Sequence, residues 1–303
     1  MVSLLDADLI VCTRNRPGEL TRVLHSIAEQ ATLPETVLVV DSSDADASAD
    51  VVEGLRASWP SGSNLALQRS GPGLPHQRNV GVDATGRPIV CFLDDDVVLE
   101  PDYFVAIGAA FAEDHDGRIG GVGATIVDQP PRPRLWRLDA MIGLDSHRQG
   151  AVLRSGRNVR VYSPRAEPLD VEWLAGLATA YRREVLAAHR PNEALIVEGE
   201  DVEFSYRVVQ DWRLVVLPHA RVHHVESATN RPDRVEVAAR ELWVRHLRCR
   251  QRVGRVRLRW FWYGVAAQLS RATVTGLVSG EQRSIARGTV RGALRIVRKR
   301  GFG

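Results

Sequence analysis

Ile89-Val-Cys-Phe-Leu-Asp-Asp-Asp-Val-Val98 is an apolar run that passes without interruption into three consecutive carboxylates. Five apolar residues in succession describe a strand buried on both faces. Nothing in such a strand solvates Asp94, Asp95 and Asp96 at its end. Adjacent acids raise one another's pKa unless a cation lies among them, and a hard divalent metal ion is the simplest candidate. Side chains alternate along a strand, so Asp94 and Asp96 are expected to share a side while Asp95 points away.

Working back from that strand, the chain repeats one pattern. Ala7-Asp-Leu-Ile-Val-Cys12 is an apolar strand, followed by the polar Thr13-Arg-Asn-Arg-Pro17 and by Leu20, Val23, Leu24 and Ile27 at helical spacing. Thr36-Val-Leu-Val-Val-Asp41 is a second strand, and Val51, Val52 and Leu55 mark the helix after it. Asn64 to Gln68 is a shorter third strand, separated by the turn-rich Gly71-Pro-Gly-Leu-Pro75 from a helix carrying Gln77, Arg78 and Asn79. Alternating strands and helices predict an α/β fold with a mixed, mostly parallel Rossmann-type sheet flanked by helices. Ligands gather at the carboxyl ends of such strands, where Thr13 to Arg16, Asp41 and Asp94 to Asp96 converge.

Working forward, Tyr103 to Phe111 reads as a helix and Gly120 to Val127 as a strand. Residues from Gln129 to Pro168 are rich in proline and arginine and weakly periodic, so they are expected to form an irregular insertion. Val171 to Gly176 then leads through Ala178-Thr-Ala-Tyr-Arg-Arg183 into a short helix. Glu200 and Asp201 open another helix, where acids favour the dipole, and Arg213 to Pro218 and Ala220 to His224 read as two strands. From Arg234 the pattern is helical and basic.

Length, 303 residues, and a hydrophobic content of 44% permit a substantial core and exclude disorder as the class. The three cysteines, Cys12, Cys91 and Cys249, lack CxxC spacing and read as reduced thiols, not as a disulfide frame or a zinc site. The first residues show no basic n-region and no signal-like apolar run. A cytoplasmic location is therefore expected, with attachment to the inner face of the cell membrane considered below.

In their order and spacing, several pieces resemble the inverting family-2 glycosyltransferases of GT-A fold. They are Thr13-Arg-Asn-Arg-Pro17, Val40-Asp41, Gln77-Arg-Asn-Val-Gly81, Leu93-Asp-Asp-Asp96, Gly176 with Tyr181-Arg-Arg183, Glu200-Asp201 and Pro218-His-Ala-Arg-Val-His-His224. The resemblance spans Ala7 to Glu226. It implies a nucleotide-diphosphate sugar donor held by Thr13, Arg14, Asn15, Arg16, Asp41, Arg78, Asn79, Asp94 and Asp95. It implies Mn²⁺ or Mg²⁺ on Asp96, with His224 rather than His223 as a second ligand. Asp201 is the implied general base, with Glu200 positioning the loop or the acceptor. Gly176 is placed near the acceptor, and Trp173 reads either as core or as a platform for an acceptor sugar. Two departures stand out: Ser42-Ser43 is not the usual acidic-Gly sequence after Asp41, and the insertion aligns with nothing in the family.

The chemistry is coherent without the family name. Displacing a nucleoside diphosphate from a sugar carbon requires a cation against the charge building on the diphosphate. It also requires a base near the attacking hydroxyl, on the opposite side of the sugar. Two other classes compete. A sugar-phosphate nucleotidyltransferase would need a glycine-rich phosphate loop where Thr13-Arg-Asn-Arg-Pro17 stands. A non-catalytic, membrane-associated nucleotide-sugar binding module would leave the Glu200-Asp201 pair without a use.

Residues 1–230 are expected to form the catalytic domain, with a nucleotide-sugar half over 1–127 and an acceptor half over 128–230. Residues 231–303 form a basic helical extension containing 18 Lys+Arg and 4 Asp+Glu. Its charge and its Arg259-Trp-Phe-Trp-Tyr263 run suit either an anionic membrane surface or a helical cap on the catalytic domain. No nucleic-acid recognition motif accompanies the arginines. The acceptor is expected to be a glycan or glycolipid in surface-polysaccharide or glycolipid assembly.

Overall fold

The computed structural model describes residues 3–162, 166–195, 199–225, 233–276 and 280–298. The expected boundary at residues 230 and 231 lies outside them.

Strands and helices alternate at first: β1 (Ser3–Thr13), α1 (Pro17–Ala28), β2 (Thr32–Asp41), α2 (Ala47–Arg56), β3 (Asn64–Arg69), α3 (Leu74–Asp83) and β4 (Ile89–Asp94). Then follow β5 (Val97–Leu99), α4 (Tyr103–Ala112), β6 (Ile119–Ile126), α5 (Trp136–Met141), β7 (Leu169–Val171), β8 (Ala178–Arg182), α6 (Arg183–Ala188), α7 (Glu200–Val208) and β9 (Arg213–His224). The chain closes with α8 (Arg234–Gln251), α9 (Leu258–Gly276) and α10 (Gly280–Val297). One sheet runs β3-β2-β1-β4-β8-β6-β9-β5, with β7 paired to β9 off that path. Its first four strands are mutually parallel.

Two expectations need correction. Ala178 to Arg182, expected only to lead into a helix, forms β8, an antiparallel strand inserted between β4 and β6. The two strands expected over 213–224 are one long strand whose pairing with β6 shifts register between Leu217 and Arg221, around Pro218, whose missing N–H cannot join a ladder.

The alternation of side chains along the central strands builds two cores. Leu9 and Val11 of β1 point to one face, where they meet Leu20, Val23, Leu24 and Ile27 of α1 and Phe104 and Ile107 of α4. Ile10 and Cys12 point to the other, with Val90 and Phe92 of β4 and Val82, Val185, Phe204 and Val208 from α3, α6 and α7. Each fully buried side chain of this size contributes about 1.5–3 kcal/mol relative to exposure. On this second face α3 lies so close to β1 that a Cβ on Gly81 would fall 2.6 Å from Cγ2 of Ile10. That approach brings Gln77 against the strand ends, where its Nε2 donates to the carbonyls of Thr13 and Val40 at 3.0 and 2.8 Å.

A third core joins the extension to the body. Val202 and Tyr206 of α7 and Val152 of the insertion pack with Leu242 and Cys249 of α8, Phe261 and Val265 of α9, and Ile296 of α10. The described helices of the tail thus pack against α7 and the insertion, and Phe261 of the aromatic run serves as core.

Candidate active site

Parallel register places the strand ends at one level: Thr13 is opposite Asp41, and Cys12 opposite Asp94. The strand ends at Asp94, so the expected alternation does not extend to Asp95 and Asp96, which lie in a turn and share Arg16. Asp95 accepts from Thr13 Oγ1 at 2.7 Å and from Arg16 Nη1 at 3.0 Å. Asp96 lies 3.4 Å from the same Arg16 nitrogen and 3.5 Å from Nε2 of His224. Asp94 lies 3.2 Å from Nη2 of Arg78. Burial pushes the Asp95 carboxyl up to about 6, against the Thr13 hydrogen bond and Arg16. Burial also raises that of Asp94, against Arg78. Arg16 thus brings positive charge to the rim from the loop after β1.

Whether a divalent ion fits can be judged from the donor set. A carboxylate oxygen and an imidazole nitrogen 3.5 Å apart suit two neighbouring ligands on one cation with bonds of about 2.0–2.3 Å. Among the described residues no group of three or more His, Cys, Asp or Glu is arranged to hold an ion. An ion at Asp96 and His224 would therefore take the rest of its coordination from substrate oxygens or water. His223, one residue earlier on the strand, turns the other way and meets Glu100 at 3.2 Å.

Around β2 the expected donor residues chiefly shape loops. Asp41 is buried; one oxygen accepts the Ser43 N–H at 2.9 Å and the other accepts from Arg69 at 2.8 Å. Asn15, held at φ 55°, exchanges two hydrogen bonds with Asp44 at 2.7 and 2.9 Å. Arg14 is half-exposed and reaches the same Asp44 at 3.7 Å. Arg69, absent from the sequence-based set, grips Asp41, the carbonyls of Ser43 and Ala45, and Asp46. The strand-end position of Arg69, opposite Asp41 in the pairing of β2 with β3, is the signal that could have found it.

Arg78 and Asn79, expected together over the donor, face different ways because successive helical residues stand about 100° apart. Buried Arg78 connects the two acidic motifs. Its Nη2 donates to Asp94 at 3.2 Å and to the Gly176 carbonyl at 2.8 Å, while Nη1 lies 3.8 Å from Glu200. Asn79 instead donates to the Pro191 carbonyl and to Glu193, at 3.0 and 2.7 Å. It lines a cleft of about 690 Å³ shared with Arg190, Glu193, Glu203 and Arg207.

Gly176 stands between Arg78 and the acids that open α7. Its N–H donates to Asp201 at 3.2 Å, and a Cβ there would lie 3.1 Å from both Arg78 Nη2 and the Asp201 Cβ. Asp201 also accepts the Val202 N–H at 2.7 Å. The Glu200 carboxyl is pushed up to about 7 by burial and by neighbouring Asp201, against Arg78. Asp201 is likewise raised by burial, against the Gly176 and Val202 N–H groups, Arg78 and Arg248.

Arg248 was not anticipated. Buried on α8, it donates to the carbonyls of Gly156 at 2.6 Å and Gly199 at 3.3 Å. Gly199, at φ 83°, is the residue from which α7 starts. The extension thereby holds the turn that presents Glu200 and Asp201. Trp173, open between core and sugar platform, donates its Nε1 to the Val159 carbonyl at 2.9 Å and packs against the third core. That hydrogen bond fixes the ring on the insertion.

The sequence profile described as "Glycosyl transferase family 2" matches residues 8–188. No curated protein sequence matches the chain. Among solved structures, mannosyltransferase PcManGT from Pyrobaculum calidifontis in complex with GDP-Man and Mn²⁺ is similar with a TM-score of 0.62 at 16% identity, over 98% of this chain and 88% of that one. GalNAc-T7 with UDP, GalNAc and Mn²⁺ gives 0.61 at 17% identity, over 96% of this chain and 57% of that one. Residues 1–349 of S. aureus TarS in complex with UDP-GlcNAc give 0.51 at 18% identity, over 99% and 93%. At these identities the likeness is one of fold, the GT-A fold of glycosyltransferases.

Proposed function

This chain belongs to glycosyl transferase family 2, and from that premise we propose that it moves a sugar, with inversion, from a nucleotide-diphosphate sugar to an acceptor hydroxyl in surface-polysaccharide or glycolipid assembly. The observation that carries the reading is Arg78. It ties Asp94 on the donor side to Gly176 and Glu200 on the acceptor side, so the two motifs share one site.

In this reading Thr13, Arg16, Asp94 and Asp95 line the donor, and Asp96 with His224 holds Mn²⁺ or Mg²⁺. The ion, when bound, offsets charge building on the diphosphate. Arg16 is placed to share that charge. Asp201 takes the proton of the acceptor hydroxyl as it attacks, and a single in-line displacement needs no enzyme nucleophile. Burial favours this role, because a carboxylate whose pKa is raised accepts a proton more readily near neutrality.

One observation favours exchanging the two acids. Both oxygens of Asp201 accept backbone N–H groups, whereas Glu200 is held less directly, 3.8 Å from Arg78. Donor affinity by calorimetry and product formation are therefore to be measured side by side. Asp201→Asn should keep donor and metal binding while transfer falls by roughly 10²-fold or more, with Glu200→Gln milder. The reverse ranking would move the base to Glu200. Full turnover in both variants would remove this segment from the chemistry and take from the inverting mechanism its main support.

A further inference from the structure

The irregular insertion and the basic tail come from chain positions more than a hundred residues apart, yet they meet on one surface. Asp139 of α5 pairs with Arg271 of α9, and Tyr263 of α9 reaches to 3.4 Å from where a Cβ on Gly143 would be. Beside this junction α5 and the residue that precedes it turn three apolar side chains outward: Leu135, 50% exposed, Leu138, 48%, and Met141, 83%. On α9, Trp262 and Tyr263 are also exposed, whereas Phe261 between Trp260 and Trp262 is fully buried. Large side chains left outside the core in one neighbourhood mark an interaction surface.

The charge around them has one sign. Arg134 and Arg137 flank the α5 residues and are exposed, as is Arg259 beside Trp262. Between Glu241 and Glu281 the chain has no acid, and Arg250, Arg252, Arg257 and Arg259 of that span are exposed. The nearby acids of the insertion are already engaged, Asp139 by Arg271 and Asp145 by Arg132. A protein partner would have to bring both an apolar groove and dense negative charge, whereas an anionic bilayer offers both at its interface. No described helix is long and apolar enough to cross a membrane, which leaves a surface that lies on one.

We propose that α5 and the first turns of α9 form a single docking face for an anionic lipid bilayer, with Leu135, Leu138 and Met141 entering the headgroup region and Arg134, Arg137 and Arg259 meeting lipid phosphates. The aromatic run of the tail supplies only part of this face; the insertion supplies its apolar wedge. The inference stands apart from the transfer chemistry, because it is read without donor or acceptor.

The test is co-sedimentation of the full chain with vesicles of phosphatidylcholine alone, or with about one third phosphatidylglycerol, across a salt series. Wild type should bind the anionic vesicles, release as salt rises and ignore the neutral ones. Leu138→Asp with Met141→Asp should weaken binding at least tenfold, and Arg134→Gln with Arg137→Gln should weaken it several-fold. Val105→Asp, at an exposed apolar position on α4, should leave binding unchanged. Thermal melting of each variant separates loss of the face from loss of the fold. Equal binding to both vesicle types, undiminished binding by the folded α5 variants, capture by duplex DNA but not by vesicles, or a change only in self-association would each overturn the proposal.

Discussion

Replacing Arg248 with methionine separates a structural role for the tail from a role in the chemistry. The substitution keeps the aliphatic stem that packs in α8 and removes the guanidinium that donates to Gly156 and Gly199. Each carbonyl left without a partner costs about 1–3 kcal/mol. Relief of a buried cation, whose pKa burial already lowers, offsets part of that loss. A net destabilisation of about 1–3 kcal/mol follows.

The second effect is electrostatic. Arg248 is among the groups that restrain the upward shift of Asp201, together with Arg78 and the Gly176 and Val202 N–H groups. Arg248 acts after the two N–H groups and Arg78, so its share of that restraint is the smaller one. Removing a cation raises the pKa of a carboxyl, and a base works only when deprotonated. The acid limb of kcat against pH should therefore move upward, with the alkaline plateau retained and donor KM unchanged. Arg248→Lys should restore the limb while recovering only part of the lost stability. A variant that melts lower but keeps the wild-type limb would refute the electrostatic half of the argument.

Glu200→Gln carries a stability prediction of its own. The folded protein holds the Glu200 proton up to about 7 against an ordinary 4.5, so between those values it binds more protons than the unfolded chain, and stability falls as pH rises through that window. The variant should lack this slope and melt higher than wild type at pH 8, with no such advantage at pH 4; equal melting at both pH values would count against the raised pKa. Asp96→Ala should abolish measurable Mn²⁺ binding by calorimetry in the presence of a nucleoside diphosphate, and unchanged binding would place the metal elsewhere. Gly176→Ala should force apart Arg78 and Asp201, lowering transfer by about tenfold or more while melting changes by about 1–3 kcal/mol. Unaltered turnover would show that the tight contact at Gly176 is not needed.

The strand ends were legible because burial on both faces leaves a continuous apolar run, and its abrupt close in acids or polar loops marks the rim. The choice of His224 over His223 came from the resemblance; in the structure strand alternation sends His223 to Glu100 and His224 to Asp96. β8 was not, because Ala178-Thr-Ala-Tyr-Arg lacks a long apolar run and runs directly into a helix; its strand character comes from β4 and β6 on either side. Asn79 was grouped with Arg78 by the resemblance, although a helix separates adjacent side chains. Arg248 was hidden for a different reason. An arginine among many in a basic tail reads as solvated, and only packing of α8 against the insertion and α7 reveals carbonyls waiting for it. The same packing divides the aromatic run, taking Phe261 inward and leaving Trp262 and Tyr263 out.

The proposed reaction is tested most directly by following one mixture of the chain, Mn²⁺, an accepted nucleotide-sugar and an acceptor hydroxyl by proton NMR while free nucleoside diphosphate is quantified. The donor is first chosen by thermal shift from UDP-, GDP- and dTDP-sugars, since a ligand of the folded state raises the melting temperature. Nucleoside diphosphate should then be released only when acceptor is present, in step with product, and the new glycosidic bond should carry the anomeric configuration opposite to the donor's. Release indifferent to acceptor, or a product that keeps the donor's configuration, would contradict inverting transfer to an acceptor.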